Sequence, residues 1–454
     1  MNNRQFVCSV EVWLMAALML GGPAYAQTNG PGDTRVGCIH LDASGAHFID
    51  VTNRTRTQAI ADMQAAQASG GNAGDPCLSG RVADVPARVY AGLAKKYPAH
   101  FAPLPGATAS RPAVVPSAAS STAAPFNATY AFTNLDALVP PAFLPFFSVT
   151  GLASNGRVYG ALYDNNFNEW VAVYANGSIT PLVAGVISTV SHNGIVGGSI
   201  VTDPVNYYTQ AAIFRGNSVE LVPRLAGEIT SNVTTINDSG TAIVVSYDAN
   251  FNGTVYGYRN GKALPVNVSI PGLYPSIMGM NNAGVLVGYV TIQEGPTSYS
   301  WLAFSYDLDK GTTTTLPPLP SNPFSWATGI NGQGDIVGYS WGPTADERIG
   351  IWPASGGGFV EYFHEGTPQY PTVSNELLIN DEDVIVITRT TDLNSYLVPS
   401  QGVRLSLTHL INYDPSTDGL PSYVFGLNNA GAITGLTTGP GYMDFLLLPQ
   451  PGKQ

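Results

Sequence analysis

The chain is poor in charge. Of its 454 residues only 11% are Asp, Glu, Lys or Arg, and 19 basic residues stand against 31 acidic ones, for a net charge of −12. So few charges beside 44% hydrophobic residues exclude a disordered polyelectrolyte and a coiled coil. The shortage of Lys and Arg excludes a nucleic-acid or anionic-membrane partner, because both are held by clustered cations. Past the N-terminus the sequence also lacks a transmembrane run of about 18 uninterrupted apolar residues. The nearest stretch, Leu135 to Leu152, is broken by Pro140, Pro141 and Pro145. Cysteine is scarce, with three residues, whereas Gly 50 and Pro 34 make turns abundant.

The first residues have the order of a secretory signal. Arg4 precedes an apolar stretch from Val12 to Leu20, Gly21, Gly22 and Pro23 break it, and Ala24-Tyr25-Ala26 supplies small residues at a cleavage site. The expectation is a signal peptide over residues 1–26 and a mature chain that begins at Gln27, secreted or periplasmic. Cys8 leaves with that segment. Cys38 and Cys77 remain in a disulfide-permissive compartment and are expected to pair. Their bridge would stabilise the intervening loop by roughly 3 to 4 kcal/mol.

Three segments follow. Residues 27–97 read as a small α+β unit, with a hairpin about Ala43-Ser-Gly45 and a helix from Thr57 to Ser69 stopped by Gly70 and Gly71. A second helix is expected there, with Asp84 as N-cap, Pro86 in its first turn and Val85, Val89 and Leu93 as its apolar stripe. Residues 98–127 are rich in Pro, Ala, Ser and Thr and read as a linker. Residues 128–454 carry most of the negative charge, with 10 basic and 24 acidic groups.

That last segment repeats itself. An apolar anchor, a turn and an apolar strand recur at Leu152-Ala-Ser-Asn-Gly156, Val190-Ser-His-Asn-Gly194, Ile236-Asn-Asp-Ser-Gly240 and Met280-Asn-Asn-Ala-Gly284. They recur again at Ile330-Asn-Gly-Gln-Gly334, Ile379-Asn-Asp-Glu-Asp383 and Leu427-Asn-Asn-Ala-Gly431. Successive anchors lie 38, 46, 44, 50, 49 and 48 residues apart, a blade-like spacing. An Asn able to bond the backbone two residues on, followed by a Gly able to take positive φ, makes a hairpin turn without a ligand. Gly160, Gly197, Gly288, Gly338 and Gly435 lie in the following strand, where crowding at a central axis is expected to exclude side chains. Each copy continues into a third strand, such as Trp301–Phe304 or Ile349–Trp352, and a fourth, such as Gly358–Tyr362. The fold class is therefore all-β, a seven-bladed β-propeller of four-stranded blades. The seventh copy runs out after three strands, so Tyr130 to Leu138 is expected to supply the fourth and leave no open edge.

These repeats resemble the HAF family of extracellular bacterial repeats, whose pattern is an Ile-Asn-Asx-x-Gly turn before a strand with Gly. The resemblance spans roughly residues 128–450, with Ala153 and Ser191 in place of Asn and Asp383 in place of Gly. It implies an exported location and brings no activity with it.

The sharpest chemical motif is duplicated. Asp164-Asn-Asn166-Phe-Asn168 and Asp248-Ala-Asn250-Phe-Asn252 share the Asp-x-Asn-x-Asn spacing that can set three oxygens round Ca²⁺. The terminal carboxylate is missing, since Ala175 and Arg259 stand at position twelve, so Asx turns are the favoured reading and no cofactor is expected. His192, His364 and His409 show no zinc spacing.

Aromatics gather in two sets of connections that share one face of a propeller. Tyr274, Phe324, Trp326, Tyr370 and Tyr423 lie at entries to first strands, and Trp170, Tyr207, Tyr208, Tyr299, Trp341 and Tyr396 lie by the loops between second and third strands. Beside amides and carboxylates they suit a glycan or protein ligand, and the alternative is that they cover blade edges. The function expected is a non-enzymatic recognition scaffold. The competing expectation is a polysaccharide lyase or glycoside hydrolase using a His and Tyr acid/base pair.

Overall fold

The structure, a computed structural model, describes residues 34–42, 45–50, 81–86 and 129–450, apart from 167, 204–207, 251, 273–274, 295–298, 343–344, 366–376, 389–393, 412–418 and 439–442. The proposed signal peptide, the helix from Thr57, Cys77 and the linker lie outside the described residues.

Near the N-terminus, Thr34–Asp42 pairs antiparallel with Gly45–Asp50, in the register Gly37↔Asp50 to Asp42↔Gly45, which is the expected hairpin. The other edge of Thr34–Asp42 takes up Arg81–Pro86. This corrects the expected helix start: Asp84 pairs with Val36 in a strand. The open edge presents unpaired N–H and C=O groups that an extended Arg-Val-Ala-Asp-Val segment can satisfy, and Pro86, which has no N–H, falls at the strand's end.

From residue 129 onward the chain builds seven four-stranded antiparallel sheets. The seven anchors, Leu152, Val190, Ile236, Met280, Ile330, Ile379 and Leu427, are the last residues of the seven first strands. Each first strand touches the first strands of the blades before and after it, blade 7 against blade 1 included, so these strands line the axis of a closed ring. The core lies between blades. Leu286, Val290, Phe304 and Tyr306 of blade 4 pack on Ile243 of blade 3, and each such buried large side chain contributes about 1.5 to 3 kcal/mol.

The ring closes as expected, with a shorter strand. Thr129–Asn134 pairs with Asp444–Gln450 from Gln450↔Thr129 to Phe445↔Asn134, while Asp136–Leu138 forms a 3-10 turn. The turn is fixed by carboxylates. Asp136 accepts the Phe147 and Asp444 N–H groups at 2.6 and 3.1 Å, and buried Asp444 accepts the Val149 N–H at 3.0 Å. The chain thereby leaves blade 7 and enters blade 1 with its backbone donors satisfied.

Anchor turns have the expected geometry. In five copies the Asn side-chain oxygen accepts two backbone N–H groups, as Asn281 does from Ala283 and Val285 at 3.1 Å each. Gly240, Gly284, Gly334 and Gly431 have φ of 79, 77, 94 and 75°, and Asp383 takes φ 58° in their place. The other half of the amide does something the repeat pattern does not announce. Nδ2 of Asn237, Asn281, Asn331, Asn380 and Asn428 donates to the backbone carbonyl of the next blade's anchor turn, at Asn281, Asn331, Asn380, Asn428 and Ala153. All five Asn are buried, so one side chain closes a turn and latches a blade to its neighbour.

Glycine in the second strand has a different cause from the one expected. The first strand carries a β-bulge opposite it, as between Ile277 and Gly279, and a Cβ on Gly288 would fall on the Ser276 carbonyl oxygen. Gly160, Gly338 and Gly435 meet the carbonyls of Ser148, Trp326 and Tyr423 in the same way. In blade 2 that place belongs to Gly198, against Val186, while Gly197 abuts the Val233 and Thr189 side chains.

Candidate functional site

In every blade the anchor turn sits at one rim. The start of the first strand, the end of the second and the start of the third lie at the opposite rim, so side chains there converge on one face. Blade 5 is pinned to blade 4 on this face by buried Ser325, whose hydroxyl accepts the Ala303 N–H at 3.0 Å and donates to the Leu316 carbonyl at 2.8 Å.

That seam gathers six aromatic rings. Trp326 stacks on Tyr289 of blade 4 with ring centres 4.6 Å apart and touches Tyr339 at 5.1 Å. Trp301 of blade 4 stacks on Trp341 at 5.3 Å and meets Phe324 edge-on at 5.3 Å, and Phe324 lies 4.9 Å from Trp341. Of the aromatics expected at a site, Phe324, Trp326 and Trp341 are thus brought together. Tyr289, Trp301 and Tyr339 join them unforeseen. Their signal was alternation, since Tyr339 and Trp341 are two apart on one strand, but alternation alone reads as core.

Trp326 is buried, Trp301, Phe324 and Trp341 are half-buried, and nearby Tyr299 is 41% exposed. The cluster is therefore closed below and open at the rim. The indole N–H groups of Trp326 and Trp341 are shielded from solvent and donate to no protein acceptor. A buried unmade donor costs about 1 to 3 kcal/mol. Glu347 is buried on the same blade, and burial together with its charge pushes the Tyr339 phenol well above its usual range. Tyr339 thus stays a neutral donor at any physiological pH.

Blade 1 carries two aromatic pairs on the same rim: Trp170 meets Phe143 edge-on at 6.2 Å on one face of the sheet, and Phe146 lies 5.4 Å from Tyr163 on the other. Asp164 accepts the Asn166 and Asn168 N–H groups at 2.8 and 3.0 Å on Oδ1, and the Asn168 amide at 2.9 Å and the Trp170 indole at 3.5 Å on Oδ2. Burial opposes ionisation of Asp164, yet these bonds outweigh it and hold the carboxyl below its usual range. Asp248 repeats the arrangement with Asn250 and Asn252 at 2.8, 2.9 and 2.9 Å, and those bonds lower its carboxyl too. Both carboxylates thus hold their own turns, and Asn168 and Asn252 each point a side-chain nitrogen at the Asp. Among the described residues no group of three His, Cys, Asp or Glu is arranged for a metal.

The remaining expected residues are dispersed. Tyr208 begins the third strand of blade 2, half-buried Tyr423 lies in the first strand of blade 7, and buried Tyr396 is covered by the Arg404 guanidinium at 4.6 Å. Tyr207, Tyr274 and Tyr370 lie outside the described residues. His192 sits in an anchor turn on the far rim, His364 pairs with Glu361 at 3.1 Å on an outer strand, and His409 lies in the short helix Leu407–Leu410. These three histidines belong to three blades and face no common point.

No protein-family model and no curated protein matches the chain. Solved structures that resemble it are propellers or carry them. The β-propeller domain of the Trilobed protease from Pyrococcus furiosus, described as having an open velcro topology, is 10% identical over 68% of this chain and 99% of its own, with a TM-score of 0.46. Virginiamycin B lyase from Staphylococcus aureus is 12% identical over 71% and 99%, with a TM-score of 0.40. TolB from Acinetobacter baumannii is 11% identical over 67% and 63%, with a TM-score of 0.33. No helix among the described residues is long and apolar enough to cross a membrane.

Proposed function

We propose that this chain is an exported, non-enzymatic β-propeller that recognises a carbohydrate through the aromatic seam between blades 4 and 5. One observation carries the reading: six rings meet at the seam, and three of them, Trp301, Phe324 and Trp341, stay half-exposed toward the rim. Sugar rings offer C–H faces that suit such open rings. Export rests on the residues of the expected signal peptide, and with it goes the expected Cys38–Cys77 bridge.

Glycan-array binding, followed by titration of intrinsic tryptophan fluorescence, tests this. Trp301 and Trp341 sit at the seam, so a binding glycan shifts their emission, and Trp341→Ala weakens binding about tenfold or more for a loss of roughly 1.4 kcal/mol. Binding unchanged in Trp341→Ala and Trp301→Ala would overturn the assignment. Release of shortened products from a bound glycan would move the protein to the lyase or hydrolase class.

A further inference from the structure

The seam is one of two aromatic patches on the same rim, and their placement bears on what kind of carbohydrate fits. The second patch, the Phe143–Trp170 pair, belongs to blade 1, and the exposed residues Asn165, Asn166 and Asn168 border it. In a ring of seven blades, the seam between blades 4 and 5 lies three and a half blades from blade 1 in either direction. The two patches therefore face each other across the central axis.

On this basis, and resting on the carbohydrate reading above, we infer that the ligand is an uncharged polysaccharide whose chain crosses the ring and engages both patches at once. A single sugar or a disaccharide reaches one patch only. A chain long enough to span them converts its second contact into an intramolecular event, which raises affinity by about 10²- to 10⁴-fold without any new type of contact. The charge of the domain decides the polymer class: with 10 basic against 24 acidic groups in residues 128–454, a polyanion such as a polyuronide is repelled. Exposed Tyr299 beside the seam and the exposed residues Asn165, Asn166 and Asn168 at blade 1 place polar groups where a neutral sugar can meet them.

The test uses the full chain and matched ladders of cello-, xylo- and manno-oligosaccharides with their soluble parent polymers, read by calorimetry and tryptophan fluorescence. The expected result is a step in affinity of about a hundredfold or more once the oligomer spans the ring, with one long chain bound per protein. Trp170→Leu and Trp341→Leu should each return long oligomers to the affinity of short ones. Asn166→Ala and Tyr299→Ala, at exposed positions beside the two patches, should do so in part and leave the fold intact if a tryptophan variant does not fold. Length-independent affinity with two short oligomers bound per protein, each lost by one variant, would overturn the spanning chain and leave carbohydrate recognition standing. Tighter binding of polygalacturonate or alginate than of the neutral polymers would overturn the polymer class. Binding of no ladder and no polymer would overturn carbohydrate recognition itself, and the spanning chain with it.

Discussion

Asn428 donates its side-chain amide to the Ala153 carbonyl at 3.2 Å, so the last anchor turn is tied to the first across 275 positions of sequence. The same amide's oxygen holds the Ala430 and Ala432 N–H groups at 3.0 and 2.9 Å, which makes one buried residue both a turn and a latch. Asn428→Ala leaves two N–H groups and a carbonyl short of partners and should cost about 2 to 4 kcal/mol. Asn428→Asp keeps the acceptor and loses the donor, so it should fall between. Chemical denaturation of the two variants checks the order, and equal small effects would refute the latch.

Asp383 occupies the left-handed position that other copies give to Gly, with φ 58°. Burial, with Asp335 and Asp381 nearby, also raises its carboxyl, while a bond from Asn331 at 3.1 Å pulls the other way. Asp383→Gly relieves strain and repulsion together and should melt at or above the parent temperature. Because the folded carboxyl titrates above its unfolded value, its ionisation cost appears as pH rises, so the benefit should be larger at pH 7 than at pH 3. Gly284→Val, by contrast, forces a β-branched residue to φ near 77° and should cost about 1 to 3 kcal/mol.

Ring closure depends on one short strand. Deleting residues 128–140 removes Thr129–Asn134, exposes the edge of Asp444–Gln450 and takes the Asp136 carboxylate from the Phe147 and Asp444 N–H groups. The product should aggregate or melt without cooperativity, whereas deletion of residues 27–120 should leave the propeller's melt in place. Size-exclusion chromatography and a thermal scan decide it, and a soluble, equally stable 128–140 deletion would refute closure.

Glu169 begins the third strand of blade 1 and accepts the Ile187 N–H of blade 2 at 3.1 Å. Burial pushes its carboxyl up to about 7, against the pull of the Ile187 and Tyr163 bonds. The folded state therefore keeps a proton that the unfolded chain releases near 4.5, and this group's contribution to stability falls as pH rises from about 4.5 to 7. Glu169→Gln keeps an acceptor for Ile187 and removes that slope. Denaturation at pH 5 and pH 8 should show the variant gaining on the parent at the higher pH.

Calcium should do little. A site at a hundred times its dissociation constant adds about 2.7 kcal/mol, but the Asp164 and Asp248 oxygens already hold their own loops. Asp248→Ala should lower the melt by the same amount with and without millimolar calcium. A calcium-dependent rise that vanishes in the Asp164→Ala, Asp248→Ala pair would show a metal site.

The sequence determined the blade count and the turn chemistry, because both are local. An Asn and a Gly at fixed offsets dictate backbone bonds and a positive φ whatever surrounds them, and seven copies at blade-like spacing leave only ring closure to infer. It also assigned the candidate aromatics to one rim, since strand direction follows from connection order. Tertiary structure decided what those residues meet. The second half of each Asn amide serves the next blade, 44 to 50 residues on in four copies and 275 residues back in the fifth, a distance that no local pattern encodes. The strand glycines answer a bulge in the partner strand, and in blade 2 that place falls to Gly198. The aromatic seam depended on which blades' rims face each other: Trp301 and Tyr289 read as strand core in blade 4 and become part of an open cluster only when blade 5 packs against them. Arg404 of blade 6 covers Phe363 of blade 5 at 4.5 Å for the same reason, because a side chain's neighbours are set by the packing of blades that the sequence orders but does not bring into contact.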